Sequence, residues 1–389
     1  MREDQRFKVI LTLFLAFRLM TLVTFLPEDL TRFGDYPYYY QLAKFSDGGH
    51  VPFIHYWSEH LPLFPFVSIG VYQLSRVVSG GGYHAYVYLF GALMVAFDTG
   101  SLYLFLRLAR RLWSRERALQ LGWTYSLLFA PFIFCWWTFE AMTAFFMLLA
   151  LHLLVERQER LSAVAVGLGA LTKLVPVLII PAVVRTRPRR RWLWYVLVVG
   201  LVVVPVIGGL LWAGGPYAAA SFRSLFSRRS YQTVWALVDG NLRTGLLGPP
   251  IDRFDLTEAA APTGNPAVVP GWLRTGVFGL LGLLIFWRAD LENSPRQLVA
   301  FVCLTVVLFF LWSKGWSPQW QVFLFPLVLL ALPYRRAVLC ILTLSLVSLA
   351  EWPVLLSRGM NEWLYITVPL RSGLLVLLAL DLWKHLHTK

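Results

Sequence analysis

Two acids in the stretch 33–66 sit where they could do chemistry: Asp35 in Gly34-Asp35-Tyr36-Pro37, and Glu59 in Ser58-Glu59-His60-Leu61-Pro62. A carboxylate held near a membrane surface can take the proton of a hydroxyl, which is the work of a general base. The same aspartate, just ahead of Pro37, also reads as the N-cap of a helix through Tyr38, Tyr39 and Tyr40. Glu59 beside His60 pairs an acid with a group that can be cationic near neutral pH. Such a pair could orient a hydroxyl and hold a phosphate, or simply cap a turn. Asp47, His50 and His55 share the segment. With Asp35 and Glu59 they could hold a divalent ion such as Mg or Mn, although their spacing specifies none.

Other charges lie inside apolar runs, where they are costly and mark pairing or function. Arg18 is ten residues from Lys8 and Asp98 nine from Arg107. At 1.5 Å per residue both sit roughly 14–15 Å from one membrane side, which predicts a structural Arg18–Asp98 ion pair. Lys173, in Thr172-Lys173-Leu174-Val175-Pro176, needs an anion: a lipid phosphate, or Asp98 or Glu140. Glu140, Lys314 and Glu351 fall at the same ends of their apolar runs as Asp35, although snorkelling side chains would look the same.

These side chains must be positioned by a membrane scaffold. The chain has 389 residues, 58% hydrophobic and 14% charged, against about 25% charged in soluble domains. The net charge of +14 resides in arginine clusters at 107–117 and 185–191, between apolar runs. That is the pattern of cytoplasmic loops, not of a nucleic-acid binder. Cys135, Cys303 and Cys340 lie in apolar runs without metal-ligand spacing and read as packing residues. No Walker motif, GxGxxG, HExxH or nucleophile elbow is present, which argues against ATP-driven chemistry and a Rossmann nucleotide-sugar site.

The expected fold class is an all-α polytopic membrane protein, a single domain over 1–389. A first span at Val9–Leu26 leads into a first external loop, 28–82. Leu63–Val78 in that loop reads as a surface helix, because a crossing there would strand the arginines of 107–117 outside. Spans follow at 83–106, 119–136 and 139–154. The segment 161–184 is broken at Lys173, and with basic flanks on both sides it reads as a hairpin rather than one crossing. A span at 192–212 leads to a second external loop, 213–270, and five more apolar runs follow: 271–287, 298–312, 322–332, 338–356 and 364–383. That makes about ten full spans and a hairpin, with both termini cytoplasmic and the acids of the first loop on the external face.

Four segments in this order resemble the GT-C superfamily of integral membrane glycosyltransferases, in its mannosyltransferase-like branches that use polyprenyl- or dolichyl-phosphate sugars. They are Gly34-Asp35-Tyr36 through Pro52, Glu59-His60-Leu61-Pro62-Leu63, Leu171-Thr172-Lys173-Leu174-Val175-Pro176, and Ser317-Pro318-Gln319-Trp320. Two features depart from the pattern: the first loop lacks adjacent paired acids, and His60 stands where some relatives have Lys. The resemblance implies a GT-C-like bundle and an inverting hexosyltransferase in the cell envelope. In it Asp35, helped by Glu59, deprotonates an acceptor hydroxyl of a glycolipid, glycan or protein. His60, Lys173, Lys314, Arg223, Arg228 and Arg229 would receive the donor phosphate, and Tyr38, Tyr39, Trp57, Trp316 and Gln319 would contact substrate. The rival reading is a transporter or flippase of lipid-linked saccharides, and a third is a non-enzymatic membrane assembly subunit. A transporter needs no long acidic first loop and usually shows internal repeats, and none is found here.

Overall fold

The computed structural model describes residues 3–245, 248–261, 263–291 and 294–387, and it is helical throughout, with no strand among the described residues. The chain runs through α1 (Glu3–Thr24), then α2 (Pro27–Thr31), α3 (Tyr36–Lys44) and α4 (Leu63–Ser79) in the first long connection. Next come α5 (Tyr83–Leu112), α6 (Arg115–Ser126), α7 (Phe129–Trp137), α8 (Glu140–Val155), α9 (Glu159–Thr172) and α10 (Ile180–Thr186). The second half holds α11 (Arg189–Ser227), α12 (Val234–Asp239), α13 (Leu256–Ala260), α14 (Gly271–Arg288), α15 (Pro295–Trp312), α16 (Gln321–Ala331), α17 (Tyr334–Leu349) and α18 (Leu364–His385).

Among the described residues six helices are long and apolar enough to cross a membrane, or seven if α6 and α7, bent by 45°, form one crossing. The protein is therefore a multi-pass membrane protein. The expectation of ten crossings also counted the 18-residue α14, α8, with 16 residues, and α16, with 11. α8 and α16 are apolar on every side, and such helices belong in an interior. Every residue of α16 is buried, in a core shared with α5, α8 and α15.

The break at Lys173 has a physical cause. Lys173 is extended (φ −160°, ψ 144°), and Pro176 falls in the short 3₁₀ turn that follows, where it can neither donate a backbone bond nor prolong α9. At the far end Arg187 Nε lies 2.7 Å from Glu159 Oε1, at the start of α9. The segment 159–187 thus closes on itself as a hairpin with Lys173 near its tip. Ion pairing fixes the base of the bundle too: Arg18 Nε donates to Asp98 Oδ2 over 2.6 Å, with both side chains buried.

The first long connection is clamped down rather than left in solvent. Asp35 N–H donates to the Trp137 carbonyl (2.7 Å), and Tyr36 O–H donates to that of Cys135 (2.6 Å). A Cβ on Gly34 would lie 2.3 Å from Trp137 Cα, so only glycine permits this approach. Later in the connection, Phe53 meets α11. A Cβ on Gly214 would come within 1.8 Å of the Phe53 carbonyl oxygen. The next residue, Gly215, takes φ 47° and kinks the helix just past Trp212.

Candidate active site

Asp35 occupies the N-cap position of α3, yet its carboxylate accepts no capping bond from the helix. The side chain is therefore available, and one turn on, Tyr39 O–H donates to its Oδ2 at 3.2 Å. Burial pushes the Asp35 carboxyl up to about 6 against that hydrogen bond; the charges of Glu140 and Glu59 push the same way, and Lys173 opposes them. Asp35 is only half-buried. A carboxylate that titrates near 6 and remains reachable is a competent proton acceptor at neutral pH.

Glu59 is committed on both oxygens. Tyr38 O–H donates to Oε1 and Arg253 Nε to Oε2, each over 2.6 Å. Burial opposes its ionisation, yet neighbouring His60, Arg253 and Arg228 and the Tyr38 hydrogen bond hold it below the ordinary carboxylate range. Glu59 therefore acts as a fixed anion that anchors its partners, not as a second free acid.

The His60 ring lies edge-on to Tyr39, Phe64 and Phe139, with centroids 5.0–5.7 Å away. Burial pushes the imidazole down to about 4 despite Glu59, with Arg228, Lys173 and Arg253 adding to the fall. That burial favours the neutral ring, while Nε2 lies 4.0 Å from Glu59 Oε1.

Lys173 extends from the hairpin and pairs with Glu140 at the start of α8. Its ammonium lies 5.1 Å from the Trp320 ring centroid, and Gln319 Nε2 donates to the same Glu140 oxygen at 3.5 Å. The turn Ser317–Trp320 and the hairpin tip thus meet over one buried carboxylate, whose other oxygen has no partner among the described residues.

Beside Glu59 a cavity of about 120 Å³ is lined by Arg228, Arg229, Arg243 and Arg253, together with Trp57 and Tyr231. The Arg253 guanidinium lies 4.3 Å from the Trp57 ring. Lys314 is close by: its Nζ donates to the Phe226 carbonyl (2.5 Å), and burial and then the charges of Arg274, Arg229 and Arg228 hold its pKa below the lysine range. Several expected residues are placed elsewhere. Arg223 is exposed and takes no part in lining the cavity. Tyr39 and Trp316 are fully buried; Tyr39 serves Asp35, and the Trp316 ring lies 4.8 Å from the Arg371 guanidinium. Asp47 is held by Tyr72 (2.5 Å) and Arg76 (2.8 Å). Among the described residues no three His, Cys, Asp or Glu side chains are grouped to hold a metal ion.

Two arginines escaped the sequence reading. Arg253 sits in an irregular polar segment, where nothing local distinguishes it from a solvated charge. Arg371 carried a signal, since it interrupts an apolar run. It pairs with Glu351, donates to the Gln232 carbonyl, and is buried; Gln232 in turn donates to Glu351 at 2.7 Å.

A polytopic helical bundle that gathers a reachable carboxylate, a lysine and an arginine-lined cavity at one end has the framework of a membrane-embedded transferase. The chain belongs to glycosyltransferase family 87, whose family model matches residues 81–313, and is thus a GT-C-type membrane glycosyltransferase. The matched region includes Lys173 and the arginine-lined cavity and begins after Asp35 and Glu59. In fold the chain is similar to ArnT from Cupriavidus metallidurans bound to undecaprenyl phosphate. The two are 17% identical with a TM-score of 0.51, over 96% of this chain and 76% of that one. The apo form of the same ArnT aligns at 15% identity and a TM-score of 0.47, over 89% and 71%. A search of curated proteins finds no match.

Proposed function

We propose that this protein transfers a hexose, mannose-like in kind, from a polyprenyl-phosphate donor to a hydroxyl of a glycolipid, glycan or protein acceptor at the external membrane face. The observation that carries the reading is the half-buried Asp35, its carboxyl pushed up to about 6 by burial, with Lys173 near enough to oppose that rise. The likeness in fold to an ArnT solved with undecaprenyl phosphate supports a polyprenyl-phosphate donor.

In this mechanism Asp35 accepts the acceptor's hydroxyl proton as the oxygen attacks the anomeric carbon. The new C–O bond forms on the face opposite the leaving phosphate, and the electron pair of the breaking bond stays with that phosphate, so the configuration inverts. Negative charge grows on the phosphate as the bond breaks, so cations beside it stabilise the transition state more than the ground state. In this reading Lys173, Arg228 and Arg229 are those cations. Glu59 holds Arg253 and Tyr38 in position from behind.

The test is transfer of radiolabelled mannose from a polyprenyl phosphate in membranes, comparing wild type with Asp35→Asn. Labelled glycoside formed by wild type and lost in the variant is expected. Movement of the lipid-linked sugar across the bilayer without glycosidic bond formation would replace the transferase with a flippase.

A further inference from the structure

A second basic cavity opens at the end of the bundle remote from Asp35. α8 starts at Glu140 beside Lys173 and ends 15 residues later at Val155 in this cavity, a rise of about 22 Å. The cavity has a volume of about 1000 Å³ and is lined by Arg157, Arg185, Arg187 and Arg288. Arg187 is engaged by Glu159, and Arg185 Nε donates to the Phe286 carbonyl (3.1 Å). Arg157 and Arg288 are exposed and pair with no acid among the described residues. The rest of the lining is mixed: Asp290, Ser294 and Thr186 stand beside Leu298 and Trp287, and Trp287 is 71% exposed. Above Trp287, α14 keeps Leu280, Leu283 and Leu284 uncovered, and Ile285 is its one buried residue among those described.

Guanidinium groups over a cavity whose rim continues into a bare apolar helix match one chemistry: a phosphate group joined to acyl chains. Guanidinium matches phosphate in geometry as well as charge, and basic pockets between helices on the positively charged side of membrane proteins hold anionic head groups. We infer that this cavity binds the head group of an anionic phospholipid, with the phosphate on Arg157 and Arg288 and the acyl chains along α14. The site lies in the leaflet opposite the reaction recess and is independent of the sugar donor.

The experiment uses the full-length protein in mild detergent, with bound lipid counted by native mass spectrometry after addition of phosphatidylglycerol or phosphatidylcholine. Wild type retains phosphatidylglycerol in preference to phosphatidylcholine. In Arg157→Gln/Arg288→Gln the affinity falls roughly fivefold for each arginine removed, the gain of a single cation at an anionic surface, while transferase activity and elution profile are unchanged. If the double variant elutes as aggregate, Arg288→Gln alone carries the test. Equal retention of phosphatidylglycerol by folded variant and wild type overturns the proposal. Displacement of the lipid by equimolar inorganic phosphate also overturns it, in favour of a site for free anions.

Discussion

Arg253 Nε donates to Glu59 Oε2 over 2.6 Å, joining segments 194 residues apart in the chain, and both side chains are buried. The bond ties the first long connection to the second and fixes one wall of the arginine-lined cavity. Removing one member of a buried pair strands the other, at a cost of about 3–5 kcal/mol. Arg253→Ala should therefore lower unfolding stability in detergent by about that amount. Arg253→Lys should rescue it only in part, because Lys loses the planar guanidinium stacked on Trp57. Unchanged stability in Arg253→Ala would show that the two connections are held by other contacts.

On the proposed mechanism Asp35 sets the pH dependence of transfer. The acting form is the carboxylate, so kcat/KM should rise with one deprotonation centred near pH 6 and level off above it. Asp35→Asn should lower the rate by about 10²–10⁴ and abolish that limb. A pH profile identical in Asp35→Asn would assign the limb to another group.

The imidazole of His60 titrates near 4 and packs among aromatics. His60→Gln should leave the limb near pH 6 in place and change donor KM by less than about threefold, since no cation is lost. A tenfold rise in KM restricted to the donor would restore His60 to phosphate binding.

Lys173 and Glu140 form a pair in which the lysine is the reachable member. Lys173→Met should lower kcat/KM for the donor by about 10²-fold and also destabilise the fold, because it strands the Glu140 carboxylate. Adding Glu140→Gln should recover stability but not activity. Recovery of both would make Lys173 purely a structural partner.

Arg18 and Asp98 lie near the base of the bundle, with the Arg18 guanidinium carbon 3.3 Å from the Phe14 ring centroid. Either single apolar replacement should destabilise by about 3–5 kcal/mol, whereas Arg18→Met with Asp98→Leu should be near neutral and fully active. Loss of activity in a stable double variant would give the pair a role beyond holding α1 to α5.

Much of the scaffold was legible because membrane burial leaves strong local marks. Apolar runs located α1, α5 and the start of α11, and counting residues from the flanking arginines set Arg18 and Asp98 at one depth. Basic flanks and Pro176 pointed to the hairpin at Lys173, which Glu159 and Arg187 close. Span counting was less secure where a helix lies in the protein interior, because α16 needs no membrane-length run when its neighbours cover it.

The sequence by itself determined that this chain is a multi-pass helical bundle, where its charges interrupt apolar helices, and that Asp35, Lys173 and the turn at Ser317 are distinctive. Only the tertiary structure decided which charges remain free to act. It bound Glu59 to Arg253, neutralised His60 among aromatics, buried Trp316 on Arg371 and turned Arg223 outward. The reason is physical: depth and helix boundaries follow from local hydropathy, whereas desolvation and pairing depend on neighbours as far as 194 residues away.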